Sequence, residues 1–106
     1  MAGADPLLAE IEALLASGDA GDPARIERTL TDGYARVLAL EGEQRRIRRA
    51  LDGLTAGAGG AAAASGAELA ALVRALERRD DAIGALRAQL RALRRRHAAA
   101  LRAGGA

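Results

Sequence analysis

Residues 26–54 read IERTLTDGYARVLALEGEQRRIRRALDGL. Within them Ile26, Leu30, Gly33, Val37, Leu40, Gln44, Ile47, Leu51 and Leu54 follow one another at alternating steps of four and three. A helix turns once every 3.6 residues, so this spacing keeps all nine on one narrow stripe, the seam of a coiled coil. Two positions break the apolar rule. Gly33 has no side chain to offer, and Gln44 is polar.

The same rule reappears over residues 69–100, LAALVRALERRDDAIGALRAQLRALRRRHAAA. Here the stripe is Leu69, Leu72, Leu76, Arg79, Ile83, Leu86, Leu90, Leu93, His97 and Ala100, with Arg79, His97 and the small Ala100 as exceptions. Between the two stripes lies TAGAGGAAAA, residues 55–64. Each helical glycine costs about 1 kcal/mol against alanine, so this stretch reads as a flexible turn. Ser65 and Glu68 then form a capping box that restarts a helix.

Folding the chain back at the glycines and setting Leu54 against Leu69 pairs every later layer in turn. Leu51 meets Leu72, Ile47 meets Leu76, Leu40 meets Ile83 and Val37 meets Leu86. In this register Gln44 shares a layer with Arg79, Gly33 faces Leu90 and Ile26 faces His97. A slip by one heptad sets each polar residue against an aliphatic one, at about 1–3 kcal/mol per stranded group. The Gln44–Arg79 polar layer therefore selects the antiparallel register. Flanking charges agree in part: the register brings Glu27 near Arg94, Glu41 near Arg87 and Arg48 near Asp80.

Upstream, Asp5-Pro6 and Asp22-Pro23 each pair an N-cap residue with proline at the first helical position. The first opens a short helix with Leu7, Leu8, Ile11, Leu14 and Leu15 on one face, stopped at Ser17-Gly18. Its short polar linker places it antiparallel to the second helix, over residues 26–40. There it is expected to cover Tyr34 and Leu38, with Arg87, Arg94 and Leu101 across the groove. Charge favours that end of the bundle: residues 1–22 hold five acids and no arginine, and residues 87–106 hold six arginines and no acid. The expectation is an all-α fold, an antiparallel two-helix coiled-coil hairpin with a short N-terminal third helix packed at the open end. It forms one domain, with helices over 6–16, 23–54 and 66–102 and a Gly/Ala loop over 55–64.

Composition supports long thin helices. Tyr34 is the only aromatic residue among 106, and all sixteen basic residues are arginine, against fourteen acids. With no cysteine, disulfides, thiol chemistry and cysteine metal sites are excluded. The N-terminal stretch has no positive region, and Glu10 and Glu12 interrupt its apolar run, so neither a signal peptide nor a membrane span is expected and the chain reads as cytoplasmic.

Candidate sites are few. Arg91, Arg94, Arg95, Arg96 and Arg102 form a basic strip near the C-terminus that suits phosphate groups, though it equally suits a solvated helix end, where cations oppose the dipole. No aromatic residue interleaves it for base stacking. Arg45, Arg46, Arg48 and Arg49 form a second cluster, diluted by Glu41, Glu43 and Asp52. His97 has neither a nucleophile nor a second histidine near it, so it reads as a seam residue. The glycine loop lacks the lysine and Ser/Thr of a phosphate-binding loop. No catalytic set, cofactor, metal or small-molecule substrate is implied.

The functional expectation is a non-enzymatic helical-hairpin interaction module: an adaptor, a small regulatory subunit or a self-associating scaffold. Its partner is another protein or a second copy. The candidate partner surface is the thin arm formed by Leu40, Ile47, Leu51, Leu54, Leu69, Leu72, Val73, Leu76 and Ile83. The alternative is an accessory factor that binds nucleic acid or anionic lipid without sequence preference through the C-terminal arginines.

Overall fold

The computed structural model describes residues 6–16, 22–56 and 66–104. They form three α-helices and, among the described residues, no strand: α1 (Pro6–Ala16), α2 (Pro23–Ala56) and α3 (Gly66–Gly104). Helix α2 continues through Ala56, two residues into the stretch expected as loop, and α3 ends at Gly104 rather than at residue 102. The Asp5 cap, the Ser17-Gly18 stop, Ser65 of the capping box and the glycine-rich segment 57–64 lie outside the described residues.

The start of α2 shows why its sequence begins a helix there. The Asp22 side chain accepts a hydrogen bond from the Ala24 amide at 3.1 Å, and the Asp22 carbonyl accepts from the Ile26 amide at 3.1 Å. One otherwise orphaned amide is thereby satisfied, and proline at the next position needs no donor.

Contacts cluster into two compact units, Met1–Val37 with Gly84–Ala106, and Leu38–Ile83. The first combines α1, the N-terminal part of α2 and the C-terminal part of α3. Its core is Ile11, Ile26, Val37, Leu86, Leu90 and Leu93, with Thr29 as the one buried polar residue among those described. Partners in α2 and α3 run in opposite directions here: Gly33 lies against Leu90, and Glu27 reaches His97. Gly33 is a close approach. A Cβ built on it overlaps Leu90 Cδ2 and comes within 3.2 Å of Leu90 Cγ and Cδ1. The missing side chain of one seam is thus filled by a leucine of the other, which offsets the propensity that a mid-helix glycine forfeits.

Helix α1 packs in this unit, but on the groove opposite the one expected. Glu10 and Thr29 approach to 3.3 Å, and Arg96 donates to the Leu14 and Leu15 carbonyls. Thr29 and Arg96 each precede a seam residue. Tyr34, Arg94 and Leu101 each follow one, and so lie on the other flank. Tyr34 and Leu38, expected beneath α1, stay 38% and 67% exposed. The reason is steric and electrostatic together. The Thr29 flank has a small, half-apolar side chain that can be buried, because its hydroxyl donates to the Arg25 carbonyl at 2.9 Å. It also has an arginine placed to cap the last turn of α1, where the free carbonyls and the dipole both favour a cation. The Tyr34 flank is occupied by its own bond, Arg94 Nη1 donating to the Tyr34 hydroxyl at 3.2 Å.

The second unit pairs α2 from Leu38 with α3 up to Ile83. Leu40 and Ile83 are its only large buried residues among those described. Ile47, Leu51, Leu54, Leu69, Leu72 and Leu76 are half-buried. Two helices without a third leave one side of each seam residue near water.

Candidate interaction surfaces

The polar layer of the second unit is built from four residues, not two. Gln44 and Arg79 do not bond each other. Gln44 donates through Nε2 to Asp80, and Arg79 Nε donates to Glu43 Oε1 at 2.5 Å. Glu43 precedes its seam neighbour Gln44, whereas Asp80 follows Arg79, so the two seam residues leave the interface on opposite flanks. Each finds an acid on the facing helix. Asp80, expected beside Arg48, is taken by Gln44 instead. The Arg79 and Glu43 side chains keep 34% and 28% of their exposure, so water screens the pair and it contributes at most about 1 kcal/mol. Its expected contribution is to register. No buried side-chain donor or acceptor among the described residues is left without a partner.

This yields a prediction. Replacing both seam residues, Gln44→Leu with Arg79→Leu, should leave the melting temperature within a few degrees or raise it, because an apolar layer of similar volume replaces a weak ionic one. Pairing fidelity should fall. A disulfide between cysteines placed at positions 47 and 76 reads it: near-complete intramolecular closure with the native layer, partial closure without it. Equal closure in both would show that the polar layer does not select the register.

The candidate partner surface is now narrower. Leu40 and Ile83 are buried within the unit. Ile47, Leu51, Leu54, Leu69, Leu72 and Leu76 present part of their surface, and Val73 is 45% exposed. On the outer face of α3, a shallow depression is lined by Arg74, Glu77, Arg78, Asp80 and Asp81. Arg74 with Glu77 and Arg78 with Asp81 set opposite charges three residues apart, and the remaining acid, Asp80, accepts from Gln44.

The basic strip of α3 divides. Arg96 turns toward α1 and is spent on its carbonyls. Arg94 holds the Tyr34 hydroxyl. Arg91, Arg95 and Arg102 are exposed. Among the described residues the side chains of Arg91, Arg95 and Arg102 have no partner, Arg94 is tethered, and α1 engages only Arg96. His97 Nε2 lies 3.3 Å from Glu27 Oε2, with 11% of the histidine side chain exposed. Sequence spacing had set it against Ile26. Among the described residues no group of three potential metal ligands occurs, and no helix is long and apolar enough to cross a membrane.

With these surfaces in view, the chain was compared with protein families, curated proteins and solved structures. None matches. The functional reading therefore rests on the surfaces themselves. Sequence reasoning missed three of their members: Glu10, Glu43 and Thr29. Glu43 had a visible signal, since an acid beside a polar seam residue is positioned to receive a facing cation. Thr29 had a weaker one: it precedes a seam leucine and is small enough to be covered.

Proposed function

We propose that the chain is a non-enzymatic interaction module, an antiparallel coiled-coil hairpin that works by helix-to-helix contact as an adaptor, a small regulatory subunit or a self-associating scaffold. The contacts Glu27–His97, Gly33–Leu90 and Glu43–Arg79 support the hairpin reading, because partner numbers fall in α3 as they rise in α2. The observation that carries the function is the incomplete seam of the second unit. Six aliphatic seam residues there are only half-buried, and Val73 is more exposed still. Apolar surface held at the water boundary is worth about 25 cal/mol per Å² once covered, so a third or fourth helix laid on this pair gains what the pair alone leaves unused. Helical bundles are completed in that way.

The partner is a second copy or another protein with a heptad stripe. Sedimentation equilibrium of the full chain tests the first option. The expected result is a mass that rises with concentration toward a dimer, and that returns to the monomer in Val73→Glu with Leu72→Gln. A strict monomer at the highest attainable concentration removes self-association. It leaves the heterologous partner, for which a heptad-bearing peptide immobilised at a sensor surface is the corresponding assay.

A further inference from the structure

We infer that the first unit docks an acidic, leucine-bearing helix of a protein partner on its uncovered flank, along Arg91, Arg94, Arg95, Ala98 and Leu101, with Tyr34 at the α2 edge. The unit shows what such docking requires. Helix α1 is itself a short helix of this chemistry, with Leu7, Leu8, Ile11, Leu14 and Leu15 beside Glu10 and Glu12. It sits on one flank of the α2–α3 pair through a buried isoleucine and an arginine of α3. The opposite flank has no counterpart of Thr29 or of the Arg96 cap; it offers exposed arginines with Leu101 and Tyr34 instead, and among the described residues no helix lies on it.

Ala98, half-buried, and the stems of Arg91, Arg94 and Arg95 line one shallow depression on α3. Arginine stems are apolar, so this floor accepts a leucine while the guanidinium groups stay wet. Leu101, 53% exposed, extends the apolar part by one turn, and Tyr34, 38% exposed, closes it from α2. Among the described residues neither Arg91 nor Arg95 makes a hydrogen bond or ion pair. They stand four residues apart, about one helical turn, and so present two cations beside the depression. The neighbouring carboxylate of Glu27 is already committed to His97.

A phosphate polymer fits less well. It has no use for Leu101 or Ala98, and Tyr34 is the lone aromatic residue, held through its hydroxyl by Arg94. The five residues of α3 named here and Tyr34 all belong to the first unit, so the inference does not depend on the self-association proposed above.

The test uses the isotopically labelled full chain and a synthetic peptide copying residues 6–16, PLLAEIEALLA, as the acidic probe. The expected result is a set of amide shifts centred on Tyr34, Arg91, Arg95, Ala98 and Leu101. Affinity should fall about fivefold in Arg91→Gln with Arg95→Gln, the scale of two exposed charge pairs, and similarly when both peptide glutamates are changed to glutamine. Both arginines are exposed, and a melting curve that matches the native chain shows that the variant is folded. Shifts confined to Ile11, Thr29 and Arg96 would mean exchange with the resident α1 and would overturn the inference. So would an absence of shifts, or a short DNA duplex binding this face when the peptide does not. A monomeric chain in the sedimentation experiment leaves these shifts unaffected, so the two ideas fail separately.

Discussion

Gly33→Leu is expected to lower stability by about 1–3 kcal/mol, a drop of roughly 10 °C in melting temperature for a chain of this size. The direction is set by two opposed terms. Any side chain at position 33 recovers helix propensity, close to 1 kcal/mol for alanine and slightly less for leucine. Against that, the space beside Gly33 is already filled by Leu90, whose Cγ and Cδ1 lie 3.2 Å from where a Cβ would stand. Leu90 is 0% exposed and enclosed by the core of its unit, so it has no free rotamer to retreat into. Alanine should come out near neutral, its propensity gain cancelled by the overlap. Leucine adds three carbons to a full layer. Gly53 and Gly84 supply the internal control, since a Cβ on either meets nothing within 4 Å. Alanine at those positions should stabilise by up to about 1 kcal/mol. The stronger evidence is a double-mutant cycle. Leu90→Ala alone opens a cavity and should cost about 2–5 kcal/mol. Combined with Gly33→Leu it exchanges the large and small members of one layer, and the pair should be more stable than the sum of the single losses by at least about 1 kcal/mol. Strict additivity in chemical denaturation would mean that the two residues do not share a layer.

That layer was legible in the sequence because it depends on a local period. The alternation of fours and threes identifies the seam residues of each helix, and one turn-back point then pairs Gly33 with Leu90 without knowledge of a single distance. The N-terminus of α2 was legible for the same reason: Asp22 and Pro23 act on amides within a few residues of themselves. What failed was the choice between equivalent grooves. A heptad pair offers two flanks, and the first helix carries enough apolar surface and acid for either. The decision rests on Thr29 being coverable, on Arg96 being placed to reach the Leu14 and Leu15 carbonyls, and on Tyr34 and Arg94 being engaged with each other. Two of these relations join residues 60 and 82 positions apart, and the third, Thr29 beneath Glu10, joins residues of two helices 19 positions apart. In the run of three arginines at 94–96, nothing local separates the one that caps a helix from the two that do not. The polar layer shows the same limit. Its level followed from arithmetic on residue numbers. That Gln44 and Arg79 leave the seam toward opposite flanks follows only from where Asp80 and Glu43 sit.

The docking of α1 gives the second large effect. Ile11→Ala should release α1 from its unit while leaving the α2–α3 core intact. Helix α1 has 11 residues, and isolated helices shorter than about 12–15 residues are marginal in water. Its persistence therefore depends on packing, and Ile11, 0% exposed, is the only residue of α1 that is fully buried. Removing that side chain beyond Cβ forfeits about 2–4 kcal/mol of burial and contact. The other ties include the half-buried Leu7, Leu8, Leu14 and Leu15, the Arg96 bonds to the last carbonyls and the Glu10–Thr29 approach; each lies partly in water and contributes less than Ile11. Because the unfolding is local, the measured global loss should be smaller than the side chain's own contribution: it cannot exceed the free energy with which α1 docks. Three readings follow. Helical ellipticity should fall by about one-eighth, the share of α1 among the described helical residues. Amides of α1 should exchange at nearly the unprotected rate, while those of Val37, Leu86 and Leu90 keep their protection. Thr29, covered in the native chain, should become accessible, and Arg96 should gain the mobility of Arg91 and Arg95. If instead the amides of Leu86 and Leu90 lose protection in step with those of α1, the helix is part of one cooperative core with them. The second groove would then be a poor template for a separable partner helix, since what binds the first one could not be detached from the fold.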